Sequence, residues 1–213
     1  MIGTRKGFIY LILAGIFITN AVVAEMIGGK LIDVYGYTLS LGILPWPIVF
    51  IVTDLINEYF GPQGVRRLTF LTAGLITYAF VLLFIGMFIP ALDFSPVNDV
   101  SYQNVFSQSM WIIVGSITAF VTSQLLDSVV FNKFKKISNG KYIWLRATGS
   151  TVISQWIDTF IVAGIAFYLP GKVSFAQFIN MCLTGYVVKL GLAILLTPMI
   201  YLGHFIIGKQ LNK

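Results

Sequence analysis

Residues 144–169 read WLRATGSTVISQWIDTFIVAGIAFYL, an apolar run with one base, Arg146, near its start and one acid, Asp158, past its middle. As a helix this run would reach about 39 Å at 1.5 Å per residue. That exceeds the ~30 Å hydrocarbon core of a bilayer, which about 20 residues cross. What a carboxylate does there depends on the solvent in which the chain folds. An earlier run carries the same pattern, since SQLLD at 123–127 matches SQWID at 154–158. Coincidence accounts for three matched positions at least as well as an inverted repeat of the kind transporters use.

Composition decides the solvent. The chain has 213 residues, 57% hydrophobic and only 10% charged, with a mean hydropathy of +0.88. A soluble domain carries about a quarter of its residues as charges. Residues 1–213 are therefore expected to form a single all-α integral membrane domain, with spans near 7–28, 43–60, 68–89, 103–131, 144–169 and 175–207. The two prolines of LPWPI (44–48) suit a helix start and not its interior. The opening basic and apolar stretch resembles a secretory signal, but its length and the spans that follow make it the first transmembrane helix.

The connecting segments test this count independently. Arg5, Lys6, Arg66, Arg67, Lys133, Lys135, Lys136, Lys141, Arg146, Lys209 and Lys213 fall on one side of six spans, against Lys30 and Lys172 on the other. The positive-inside rule then places both termini in the cytoplasm, and an odd number of spans would destroy the asymmetry. The bases lie between spans and form no face for nucleic acid. No Walker-type or dinucleotide glycine loop occurs, so no cofactor is expected. The lone Cys182 reads as a small core residue.

The remaining base, Lys189, falls inside the sixth span. With Asn20, Glu25, Asp54, Asn57, Glu58, Gln124, Asp127, Gln155 and Asp158 it makes a polar set contributed by five of the six spans. Such residues are costly in a bilayer and face a cavity or each other. Glu25 and Glu58 are expected to reach the interface and be solvated; Asn, Gln and Ser side chains also serve as interhelical glue. The third span has no strongly polar residue and is expected at the periphery. Counting along the helices puts Asp54 and Asp127 roughly 10 Å, and Asn20 and Asp158 roughly 20 Å, from the cytoplasmic ends. Ser123 and Ser154 come to one height, and Lys189 is able to neutralise one aspartate, which leaves two to be accounted for.

Enzymatic readings are poorly served. The only histidine, His204, has no motif around it and reads as interfacial, and no cluster of metal ligands is evident. An intramembrane aspartyl protease needs two carboxylates sharing a proton, whereas Asp127 and Asp158 are expected about 10 Å apart in height. The bulky side chains of the spans disfavour an open channel. A solute carrier accommodates the polar set best.

Four stretches carry a family resemblance: WPIVFIVTDLINEYFGPQGVRRLTF (46–70), SQLLDSVVFNKFKK (123–136), GKYIWLRATGSTVISQWIDTFIVAGIAF (140–167) and YVVKLGLAILLTPMIY (186–201). The first resembles the signature of the queuosine-precursor transporters, also called the vitamin uptake transporter family. In that family an aromatic-Pro pair opens a helix, a Thr-Asp or Ser-Asp pair follows, and an aromatic-Gly precedes paired arginines. The resemblance implies six transmembrane helices related to the substrate-binding components of energy-coupling-factor transporters. It also implies a cargo of 7-deazaguanine bases, salvaged for tRNA modification across the cell membrane. Its motifs match at Asp54, Gln124, Asp127, Asp158 and Lys189, with Asn20 next; at Gln155 the family varies.

The residue chemistry is compatible with such a cargo. One carboxylate accepts the ring N–H and amino group of a guanine-like edge together. Gln124 or Lys189 can donate to the ring carbonyl, and Trp46, Trp156 or Phe160 offers a stacking face. Asp158 and Gln124 are expected to read the base, with Asp54 and Asp127 forming a lower tier as gate or proton site. A carrier working without an ATPase, as a homodimer, is the favoured arrangement. The rival is a substrate-capture subunit that docks an energy-coupling partner through small residues such as Ala24 and Gly28.

Overall fold

The computed structural model describes residues 4–34, 37–107 and 110–211; Lys213, one of the counted bases, lies outside them. The first helix, α1 (Arg5–Ile27), starts where the Thr4 hydroxyl accepts from the Gly7 N–H at 3.2 Å, satisfying one of the donors a helix start leaves open. A short antiparallel ribbon follows, β1 (Leu31–Val34) against β2 (Tyr37–Ser40), in the register Leu31↔Ser40. The Ser40 hydroxyl donates to the Gly28 carbonyl at 2.6 Å, which ties the ribbon back onto α1. A Cβ on Gly28 or Gly42 would lie 2.9 Å from the Ala24 carbonyl oxygen. The small pair Ala24 and Gly28 is thus spent on packing within the chain.

The second and third expected helices are one element, α2 (Trp46–Gly86), broken at Gly61 (φ 73°, ψ 180°). Only glycine adopts that backbone readily, and Pro62 removes the N–H that would have continued the ladder. No loop of several residues separates the halves, so Arg66 and Arg67 stand on a helix. Beyond the break the buried residues Val65, Leu68, Thr69, Thr72, Ala73, Ile76 and Phe80 follow a helical stripe. Phe70, Leu71, Tyr78, Leu82 and Ile85 face outward, as expected of a peripheral span.

The fourth expected helix is divided as well. The short α3 (Asp99–Phe106) begins at Asn98, whose side chain accepts from the Ser101 N–H, and ends at Ser107 (φ −77°, ψ 70°). Then α4 (Met110–Ile137) runs past the expected end, with Lys135 and Lys136 in its last turn, where cations complement the helix dipole. A tight turn through Asn139 (φ 47°) and Gly140 (φ 73°) leads into α5 (Ile143–Ala163), which continues as one π-helical turn (Gly164–Tyr168). The chain closes with α6 (Phe175–Leu211).

Among the described residues, five helices are long and apolar enough to cross a membrane. An apolar core of Phe17, Ile56, Leu68, Ile76 and Phe120 joins α1, α2 and α4, but on α5 and α6 the packing is inverted relative to a soluble bundle. The buried residues of α5 are Arg146, Ala147, Ser150, Thr151, Ser154, Gln155, Thr159 and Ala163, polar except for the alanines, whereas Val187, Ile194, Leu195, Leu202 and Phe205 of α6 face outward. Lipid demands nothing else of an outward face, and polar groups must find partners inside. One end of the bundle is shared by five elements: Lys6 lies over the Phe60 ring at 5.6 Å, Lys135 and Arg146 meet Glu58, and Tyr59 meets His204.

Candidate functional site

Helices α4 and α5 run antiparallel from their short turn, and each repeats Ser and Asp four residues apart, which sets both on one helical face. The faces meet with exchanged partners. Ser123 donates to Asp158 Oδ1 at 3.2 Å, and Ser154 donates to Asp127 Oδ1 at 2.9 Å. Each serine serves the other helix's aspartate, so the two levels are separated by the four-residue spacing, about 6 Å. The expected difference of about 10 Å is corrected accordingly.

The upper level centres on Asp158. Lys189 of α6 reaches its Oδ2 at 2.6 Å and approaches the Thr159 hydroxyl at 3.3 Å. The pair is not sealed, with side-chain exposures of 16% for Asp158 and 27% for Lys189. Glu25 of α1 belongs to the same level. It is 6% exposed and takes the Ser116 hydroxyl at 2.5 and 2.6 Å from its two oxygens, within electrostatic range of Asp158. The expectation that Glu25 is solvated at the interface is therefore wrong. It is the fourth residue of an α1 stripe, Phe17, Ala21, Ala24 and Glu25, that is buried throughout.

The lower level holds Asp127 and Asp54. Asp54 is buried, its Oδ1 has no hydrogen-bond partner among the described residues, and it lies within electrostatic range of Asp127, Arg146 and Glu58. Glu58 is also corrected: it is bound by Lys135 at 3.1 Å and by Arg146 at 3.0 Å. Arg146, read as an interfacial base, is 2% exposed and donates to the Gly140 carbonyl at 2.7 Å. The helical period held this signal, because Glu58 follows Asp54 by four residues and Arg146, Ser150 and Ser154 succeed one another by four.

The other candidates are distributed around these levels. Gln124 is buried with its Oε1 2.9 Å from the Thr53 hydroxyl of α2. Gln155 is buried with Oε1 unpartnered. Asn20 is half-buried and donates to the Ile16 carbonyl of its own helix at 2.8 Å, so no cross-helix bond brings it into the set. Trp46 packs between Phe50 and Phe120, whereas Trp156, 38% exposed, packs outward with Phe160 and Tyr186. Asn57 of the expected polar set forms a further hydrogen-bonded group between α2 and α4 with Ser128 and Asn132, which the sequence did not single out.

Two spaces adjoin the lower level. A cleft of about 460 Å³, lined by Asn57, Glu58, Asn132 and Lys135 among others, opens at the end of the bundle where the α4–α5 turn lies. A cavity of about 10 Å³ lies deeper, bounded by Asp54, Glu58, Arg146 and His204 together with apolar side chains. Glu58 borders both. Among the described residues, no group of three His, Cys, Asp or Glu side chains is placed to hold a metal ion.

Comparison with known proteins adds what geometry alone does not supply. The family described as "Putative vitamin uptake transporter" matches residues 40–203. A Bacillus subtilis (strain 168) protein named "Probable queuosine precursor transporter" is 30% identical over 176 residues, 81% of this chain and 74% of that protein. A Haemophilus influenzae protein of the same name is 27% identical over 166 residues, 76% of this chain and 66% of that protein. The "Queuosine precursor transporter" of Escherichia coli (strain K12) is 28% identical over 141 residues, 64% of this chain and 59% of that protein. No solved structure matches the chain.

Proposed function

This chain belongs to the vitamin uptake transporter family, a family of carriers and not of enzymes, and from that premise we propose that it imports a 7-deazaguanine precursor of queuosine. It is a multi-pass membrane protein with a small-molecule cargo. The observation that carries the cargo assignment is the way Asp158 is held. Its two oxygens accept separate donors, Ser123 from α4 and Lys189 from α6. A guanine-like edge offers the same pair of donors, a ring N–H beside an amino group, to one carboxylate. Where α4 and α5 meet, in this seam, the hydroxyl and the ammonium stand in for the base. Arrival of the cargo exchanges them and frees Lys189 to donate to the ring carbonyl.

Gln124 lies one residue from Ser123 and supplies an amide for the remaining edge, and Trp46 offers the aromatic face on that side. Asp54 and Asp127 sit a level below and take no part in reading the base. The chain forms one domain of six spans, since the break at Gly61 lets α2 cross twice. Both termini then fall on the same side as the Arg and Lys clusters, the cytoplasmic side of the cell membrane. The internal packing of Ala24 and Gly28 favours a carrier, working as a homodimer, over a subunit that docks an ATP-driven partner through those residues.

The test is uptake of a labelled 7-deazaguanine base by the purified chain in sealed liposomes with no other protein. Asp158→Asn should abolish uptake while the folded protein is recovered at wild-type yield. Undiminished transport by that variant rejects the assignment of Asp158. Competition by guanine, its 7-deaza analogues and unrelated vitamins decides between this cargo and another vitamin-like solute, which the family's own description favours.

A further inference from the structure

We propose that the small cavity between Asp54, Arg146 and His204 is a proton site, holding one water molecule through which a proton passes between His204 and Asp54. The proposal rests on the carrier reading and adds to it the coupling ion and its route.

Three observations converge on this cavity. First, among the described residues Asp54 Oδ1 is a buried acceptor without a donor and Arg146 Nε is a buried donor without an acceptor, and both residues bound the same cavity. Arg146 cannot turn to relieve this, because Nη1 is held by the Gly140 carbonyl and Nη2 by Glu58. A molecule that accepts from one atom and donates to the other is water, and about 10 Å³ is at the threshold for a single one. Secondly, His204 borders the cavity, and its Nδ1 lies 2.7 Å from the Tyr59 hydroxyl, which also reaches the His204 carbonyl at 2.9 Å. If the one hydroxyl hydrogen goes to the carbonyl, Nδ1–H donates to Tyr59 and the neutral ring accepts at Nε2. Thirdly, the charges do not cancel. Asp54 lies within electrostatic range of Asp127, Glu58 and Arg146, and Glu58 is bound by Arg146 and Lys135; Tyr59 and His204 are the other titratable groups beside them, and the exposed Lys136 lines the adjoining cleft.

One carboxylate is in excess in a setting where an uncompensated charge is costly. A metal cation is disfavoured beside a guanidinium, whereas a proton on Asp54 neutralises it without a new ligand. The transfer balances: imidazolium gives a proton to the water as the water gives one to the carboxylate. Neutral histidine, intact water and a carboxylic acid result. With Asp54 neutral, Glu58 alone holds Arg146. With Asp54 charged, two carboxylates compete for it, which couples the proton to the residue standing between the seam and the open cleft.

The experiment uses the full chain in liposomes loaded with a pH-sensitive dye, together with infrared difference spectra of the purified protein. Wild type should carry protons inward with the base. Infrared spectra should show a titrating carboxylic-acid C=O band that is absent from Asp54→Asn. His204→Gln should lower gradient-driven accumulation by an order of magnitude and leave base-for-base exchange unchanged. Accumulation driven by sodium or insensitive to the pH gradient overturns the proposal, as does a carboxylic-acid band that persists in Asp54→Asn. Failure of wild type to exchange the base at all falls on the cargo assignment, and the infrared band then decides the proton site by itself.

Discussion

Arg146 shows how much one buried side chain holds together. Its guanidinium binds Glu58 of α2 and the turn carbonyl of Gly140, and it lies within electrostatic range of Asp54. Removing one partner of a buried ion pair leaves a charge uncompensated, typically at about 3–5 kcal/mol. Arg146→Ala is therefore expected to melt in detergent well below wild type. Glu58→Gln, which still accepts from Arg146, should lose less. Arg146→Lys should fall between, since an ammonium lacks the fork that spans Glu58 and Gly140. Equal melting temperatures for Arg146→Ala and wild type would show that the pair carries no stability. At this scale the sequence exposed the aspartates and Lys189, but it put Glu58 in solvent at the interface and counted Arg146 with the bases between spans. Both sit near helix ends, where charge is ordinarily solvated, and only a partner helix arriving from far along the chain buries them.

The α4–α5 hairpin is the element on which the seam depends, and its register is written into the crossed serine and aspartate pairs. A hydrogen bond to a charged group contributes about 1.5–3 kcal/mol, and Ser154 to Asp127 is the shorter and more deeply buried of the two. Ser154→Ala should cost more stability than Ser123→Ala, because Asp158 keeps Lys189. A double-mutant cycle of Ser154→Ala with Asp127→Asn should show coupling, read by thermal unfolding; strict additivity would mean that the contact is not formed. Gly61 offers a second test at this scale. Its backbone is one that only glycine tolerates cheaply, so Gly61→Ala should cost about 1–3 kcal/mol, measured the same way. The apolar period and the LPWPI start made the helices legible, yet their breaks were not. A Gly-Pro step inside an apolar run reads equally as a loop or as a kink, and the backbone of Ser107 ends α3 within what hydropathy alone presents as one helix.

For the whole molecule the proposed orientation rests on where the breaks fall. The start of α1, the break at Gly61, the α4–α5 turn and the His204 stretch of α6 share one end. Under the proposed six-span topology the described chain starts at that end, returns to it at Gly61 and at the turn, and comes back to it along α6, an even number of crossings. The expected charge asymmetry points the same way, because among the described residues the bases other than Lys30, Lys172 and the intrahelical Lys189 gather at those four places. Sided cysteine labelling tests both statements together. Cys182 is buried, and replacing it by alanine gives a background for single cysteines at Lys141, Lys172 and Lys209. In intact cells an impermeant maleimide should label Lys172→Cys alone, and Lys141→Cys and Lys209→Cys should react only once the membrane is opened. Labelling of Lys209→Cys from outside while Lys141→Cys stays protected would put the two on opposite faces. An odd number of crossings would then separate the α4–α5 turn from the chain's last turns, and Tyr59 and His204 could not share the end at which Glu58 holds Arg146.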